Sequence, residues 1–173
     1  MTKQEIRDHL RQVRRTAYDA ASLDAMSQEA TGRLERHPLF RQSRRLLLFH
    51  SLPDEVNTHE LINRHWREKT ILLPVVTGDD ITLRVFDGRC EEGKFGICEP
   101  VGAVFTDYRS IDLAVIPGVA FDGDRNRLGR GKGYYDRFLP LLRCHTIGLC
   151  YPFQLIEHIP TEPHDIKVNE VIS

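Results

Sequence analysis

The chain has 173 residues, the size of one domain with a sizeable core and short of what two domains usually need. Hydrophobic residues make up 40% and charged residues 28%, the balance of an ordinary soluble globular protein. Lys plus Arg (24) and Asp plus Glu (25) nearly cancel, which argues against the strongly basic domain of a nucleic-acid binder and requires any anion site to come from local clustering.

The first residues, MTKQEIRDHLRQ, are charged and contain no apolar h-region, against a secretory signal. Thr2 and Glu5 have capping-box spacing, and Ile6, Leu10, Val13 and Ala17 follow at helical intervals, predicting an amphipathic helix over 2–20. Lys3, Arg7, Arg11 and Arg14 form a cationic ridge beside its apolar stripe. Ser22 can cap a second helix that ends before His37–Pro38. RLLLFHS (45–51) is a short apolar run of the kind buried on both faces of a sheet. Asn57 and Glu60 form another capping pair, with Leu61, Ile62, His65 and Trp66 continuing a helix to about Lys69. TILLPVV (70–76) reads as a second strand, GDD as a turn, and ITLRVF (81–86) as a more exposed, alternating strand.

Residues 87–110 read as loop. IDLAVIPG (111–118) returns to a buried strand, RLGRGKGYYDRF (127–138) follows, and a helix is expected over Tyr134–Arg143, with Pro140 ending or kinking it near Leu139. HTIGLCY (145–151) and DIKVNEVIS complete the strands. Strands alternating with helices predict one α/β domain over 1–173: a three-layer sandwich, its mostly parallel sheet covered by helices on both faces, with the functional crevice at the strands' carboxyl ends. No apolar run approaches the roughly 20 residues of a membrane span. Cys90, Cys98, Cys144 and Cys150 contain no CxxC pair and fit a reduced cytosolic protein better than a disulfide framework. Eight histidines without an HExxH motif argue against a zinc enzyme.

The glycines of the 127–138 stretch alternate with cations: Gly129, Arg130, Gly131, Lys132, Gly133. A glycine-rich turn entering a helix aims backbone N–H groups outward, where the helix dipole favours negative charge, and glycine leaves no Cβ in the way of an anion. Arg130 and Lys132, with Arg127 nearby, add charge to the same concavity, so the expected object is a polyphosphate cradle. A plain surface turn with incidental cations is the bland alternative. The loop is not a Walker motif, because Gly133 follows Lys132 and Asn126 stands where the first glycine belongs; GxGxG far from the first strand is not a dinucleotide fingerprint either.

IPGVAFDGDRNRLGRGKGYYDRFL closely resembles the signature of the 5-formyltetrahydrofolate cyclo-ligase (methenyltetrahydrofolate synthetase) family. The similarity extends in order along the chain through the basic first helix with Lys3 and Arg7, SLPDEVNTHELI, KFGICEP and HDIKVNEV. Two positions depart from the family pattern: Arg125 stands where glycine is common, and Asn169 where an acidic residue is often found.

The resemblance implies a cytoplasmic enzyme, expected to be a monomer, that uses ATP and magnesium. ATP phosphorylates the formyl oxygen of 5-formyltetrahydrofolate or its polyglutamylated form, and ring closure then gives 5,10-methenyltetrahydrofolate. It implies that Arg130, Lys132 and the amides of Gly129, Gly131, Gly133 and Tyr134 hold the triphosphate, with Arg127 assisting and Lys132 nearest the transferred phosphoryl. Lys3 and Arg7 would close over ATP, their alternative being a solvated helix face. Asp136 and Asp165 are the implied magnesium ligands; otherwise they are a first-turn helix acid and a turn residue. Glu55 is expected to receive the pterin's amino-pyrimidine edge, with Leu52, Phe95 and Tyr135 beside the folate. The rival readings are a nucleotide- or RNA-binding or regulatory relative that kept the fold, and a kinase for another small metabolite.

Overall fold

A computed structural model describes residues 1–93 and 96–173. Helix α1 (Lys3–Ala17) opens on the expected capping box, the Thr2 hydroxyl accepting from the Glu5 amide and the Glu5 carboxylate from the Thr2 amide. The cap of α2 (Ala20–Arg36) is Asp19, not Ser22: Asp19 Oδ1 accepts from the Ser22 amide at 2.8 Å, and a carboxylate suits the positive end of a helix. After α3 (Pro38–Gln42) and β1 (Arg45–Leu47), α4 (His59–His65) starts behind Thr58 without the expected Asn57–Glu60 box. Asn57 Oδ1 instead accepts from the His59 amide as a local turn. The helix stops at His65, and Lys69 Nζ donates to the carbonyls of Phe40 and Ser43.

Strands β2 (Thr70–Thr77) and β3 (Asp80–Val85) form a hairpin turning at Gly78. The stretch read as loop holds three short strands, β4 (Cys90–Glu92), β5 (Cys98–Pro100) and β6 (Val104–Phe105), too short for any alternation to register. β4 and β5 pair antiparallel and bring the Cys90 and Cys98 sulfurs into bonding contact. That corrects the expectation of four free thiols; Cys144 and Cys150 are free. β7 (Leu113–Pro117), β8 (Ala120–Asp122) and β9 (Arg127–Leu128) precede α5 (Tyr134–Phe138), which gives way to a 3-10 turn at Leu139–Leu141 where Pro140 was expected to stop it. β10 (His145–Leu149), β11 (Leu155–Ile156) and β12 (Glu170–Ile172) follow.

The large sheet runs β12-β10-β7-β1-β2-β3-β6; its first five strands are parallel, and β3 and β6 run antiparallel at one edge. Alternation divides the core. Leu46, Leu48, Ile71, Leu73, Leu113 and Val115 pack with α2, α3 and α4 on one face, while Leu47, Leu72, Ala114 and Ile116 pack with Phe138, Leu139 and Leu142 on the other. The layering matches the three-layer expectation. One element departs from it: α1 buries Ile6 and Leu10 against Ala120 and Leu128 of a separate small sheet, β11-β8-β9, and against Ile159 beyond it. None of the described helices is long and apolar enough to cross a membrane.

Among the described residues, Arg125 is the non-glycine residue with positive φ, at 66°. Its amide donates to the Asp122 carbonyl and its own carbonyl accepts from Val168, which fixes the conformation. A left-handed arginine carries a steric cost that glycine avoids, and this is the position where the resemblance leads one to expect glycine. Arg125→Gly is expected to raise stability by about 0.5–1 kcal/mol, read as a higher urea midpoint at unchanged m-value.

Candidate active site

The parallel strands direct their carboxyl ends to one edge, where the segments after β1, β7 and β10 meet. Three adjoining cavities open there. One of about 410 Å3 is bordered by Ser51, Leu52, Glu55 and Tyr151. One of about 540 Å3 lies against Arg7, Arg11, Arg14 and Arg15 of α1, and one of about 300 Å3 against Arg127, Gly129, Lys132, Tyr134 and Tyr135. They share walls: Glu55 borders the first and third, Arg130 the second and third, Arg14 and Pro53 the first and second.

The glycine-arginine loop owes its shape to Asp122, a buried carboxylate at the end of β8. Oδ1 accepts from the amides of Asp124 (3.1 Å) and Asn126 (2.9 Å); Oδ2 accepts from Asn126 Nδ2 and the Ile159 amide, both at 2.9 Å. Burial opposes its charge, yet the Asn126 side chain and these amides hold the carboxyl below the usual aspartate range. Beyond it, Gly131 and Gly133 take φ of 93° and 70°. Gly133 stands at the N-cap of α5 and supplies no side chain to it, so the first-turn amides have no capping partner. Arg7 crosses from α1 to this loop, its Nε donating to the Gly129 carbonyl at 2.9 Å.

The cations differ in their surroundings. Arg127 is buried, donates to the Pro117 carbonyl at 3.1 Å, stands over the Tyr135 ring and faces Asp136 at 3.6 Å; its Nε has no partner. Burial pushes its proton affinity down and that of the Tyr135 phenol up, so Tyr135 is a neutral donor at pH 7. Arg130 forks onto Asp54 (2.6 and 3.0 Å) and reaches Glu55 Oε1 at 3.1 Å. Glu55 Oε2 accepts from the Leu52 amide at 2.9 Å; burial raises the Glu55 carboxyl, and the Leu52 amide and Arg130 offset only part of that rise. Lys132 is exposed and makes no ion pair among the described residues.

Of the two aspartates expected to hold metal, Asp136 reaches the segment that carries the other: its Oδ1 accepts from the Ile166 amide at 3.4 Å, one residue from Asp165, whose carboxylate clusters with Glu162 and His164. Asp165 Oδ2 accepts from Lys3 Nζ at 2.6 Å and from the Glu162 amide at 2.7 Å. Lys3 thus reaches the site through an acid, while Arg7 meets the loop itself. Leu52 borders the first cavity and Tyr135 the third. Phe95 lies outside the described residues. The reading of the sequence passed over Asp54 and Asp122; the first is signalled only by its place beside Glu55, the second only by the dense turn residues that follow it.

The chain matches the model of the 5-formyltetrahydrofolate cyclo-ligase family over residues 1–173. It is 31% identical to a 5-formyltetrahydrofolate cyclo-ligase of Haemophilus influenzae, covering 98% of this chain and 96% of that one, and 30% identical to one of Mus musculus, covering 82% and 79%. The solved structure of Aquifex aeolicus 5,10-methenyltetrahydrofolate synthetase superposes with a TM-score of 0.88 at 32% identity, over 99% of this chain and 89% of that one. The chain belongs to the 5-formyltetrahydrofolate cyclo-ligase family. Its likeness to these enzymes supports the catalytic reading and not the binding or regulatory alternative.

Asp122→Asn would turn one oxygen, which now accepts from two N–H groups, into a third donor. It is expected to cost about 2–4 kcal/mol at pH 7. The folded-state value of Asp122 is depressed, so its contribution is present above roughly pH 4 and lost as pH falls through that lower value. The variant's deficit is therefore expected to shrink on acidification, as urea titrations at pH 7 and in the acid limb would show.

Proposed function

We propose that the chain converts 5-formyltetrahydrofolate to 5,10-methenyltetrahydrofolate with ATP as co-substrate, acting as a monomer in the cytoplasm. The formyl oxygen attacks the γ-phosphorus and ADP leaves; the neighbouring nitrogen then attacks the activated carbon and phosphate departs. Such chemistry needs alignment and charge neutralisation more than a covalent side chain. The observation that carries this reading is the shared wall: Arg130 of the cationic loop bonds Glu55, which borders both the loop's cavity and the one beside Leu52 and Tyr151.

In this reading the exposed Lys132 meets the transferred phosphoryl, and Arg130, Arg7 and the amides from Gly129 to Tyr134 hold the triphosphate. Arg127 is too buried to travel and sets the floor of the cradle, with Tyr135 packed beneath it. Glu55 takes the amino-pyrimidine edge once a phosphate competes for Arg130. Oxygen ligands suit magnesium, and Asp136 fits that role because its two contacts, at 3.4 and 3.6 Å, are long and leave lone pairs free. Asp165 fits after Lys3 exchanges its carboxylate for a phosphate. Magnesium, when bound, would neutralise phosphate charge.

Purified protein with ATP, magnesium and 5-formyltetrahydrofolate is expected to generate the near-ultraviolet band of the methenyl product; a binding module or an unrelated kinase would not. Lys132→Ala is expected to lower kcat by about 100-fold or more with an unchanged circular dichroism spectrum. Normal turnover would remove Lys132 from the transfer step. Glu55→Gln is expected to raise the KM for the folate by about tenfold and leave that for ATP nearly unchanged.

A further inference from the structure

Arg14 stands where two of the cavities meet and is only partly used. It borders both the cavity beside Glu55 and the larger one lined by α1. Its Nη2 donates to the Pro53 carbonyl at 2.7 Å, which among the described residues is the guanidinium's only hydrogen bond, and its Nε is buried without a partner. A buried donor left unmatched is costly until an acceptor arrives. The nearby acids are engaged elsewhere: Asp54 holds Arg130, and Asp24 accepts from Gln28 at 3.0 Å. Arg11 and Arg15 line the same cavity. Arg11 pairs with Asp8 at 2.8 Å, and Arg15 makes no ion pair among the described residues.

The reduced folate of the reading above has two chemically unlike ends, a neutral bicyclic ring and a glutamate with two carboxylates. With the ring against Glu55, the carboxylates are repelled by Glu55 and Asp24, which border that cavity, and leave it toward the larger one, where Arg130 offsets the charge of Asp54 and the arginines of α1 outnumber it. The way out past Pro53 leads to Arg14, whose planar fork matches a carboxylate. We propose that Arg14, supported by Arg11 and Arg15, binds the glutamate carboxylates of the folate. The subsite rests on the folate-and-ATP reading. The other anion available is the nucleotide, whose phosphates would meet the same arginines from the side of Arg130.

The test uses the full chain with two substrates, 5-formyltetrahydrofolate and 5-formyltetrahydropteroate, which lacks the glutamate. The wild type is expected to show a KM about tenfold lower for the glutamate-bearing substrate. In Arg14→Ala that gap closes, while kcat, the KM for the glutamate-free substrate and the KM for ATP stay within about twofold. Arg11→Gln/Arg15→Gln, confined to the exposed side of α1, is expected to narrow the gap part way. Equal losses on both substrates would reduce Arg14 to a strut for Pro53 and overturn the proposal, as would an unchanged gap in both variants. A rise confined to the KM for ATP would assign the arginines to the nucleotide. Wild-type protein that turned over neither folate would sink the functional reading itself, a separate outcome.

Discussion

The site depends on the buried carboxylate of Asp122. It gathers four N–H groups from the turn that follows β8 and from the distant Ile159 amide, and so converts a polar, glycine-rich segment into a fixed ledge. Without an ionised acceptor at that point, the donors would be buried and unmatched, a state the folded chain tolerates poorly. The same ledge carries β9, which contains Arg127, leads directly into the glycines, and meets α1 through Leu128. A single electrostatic knot therefore fixes both the phosphate-facing loop and the docking of the helix that brings Arg7 to it.

A second feature follows from placing cations and acids at one edge of a sheet. Arg130 lies between Asp54 and Glu55, so the loop expected to receive phosphates and the loop expected to receive the pterin are joined by one ionic contact. Phosphate oxygens and carboxylates compete for the same guanidinium. Binding at one cavity then alters the charge balance at the other, a coupling that needs no large motion because the competing groups already touch. The Lys3–Asp165 pair repeats this arrangement on the far side of the loop, a cation held by an acid where both phosphate and metal would have uses for them.

The parallel order of the sheet, the α1 capping box, the stop at Pro140 and the turn entering α5 at Gly133 were legible because each is a local pattern with a local cause. The failures are as specific. Asp19 displaced Ser22 as a cap because two capping residues three positions apart compete and only backbone geometry chooses between them. The 87–110 segment hid three strands because two or three residues carry no period. The contact of Cys90 with Cys98 arises from hairpin register, which no spacing rule encodes. Arg127 reads like its neighbours Arg130 and Lys132 in sequence, yet it alone of the three is buried, since it lies within β9 of the small sheet with its guanidinium against the Pro117 carbonyl and the Tyr135 ring.

By itself, the sequence determined the class of fold, the capped start of α1 and the stretch where cations alternate with glycines, because apolar period, turn chemistry and charge are properties of short stretches. Only the tertiary structure decided which acid opposes which base: Arg130 against Asp54 and Glu55, Lys3 against Asp165, and Arg14 against no acid among the described residues. These pairings join positions 75, 76 and 162 residues apart. Charge interactions at contact distance are set by where the chain's long-range packing delivers each side chain, and that information lies in the fold as a whole.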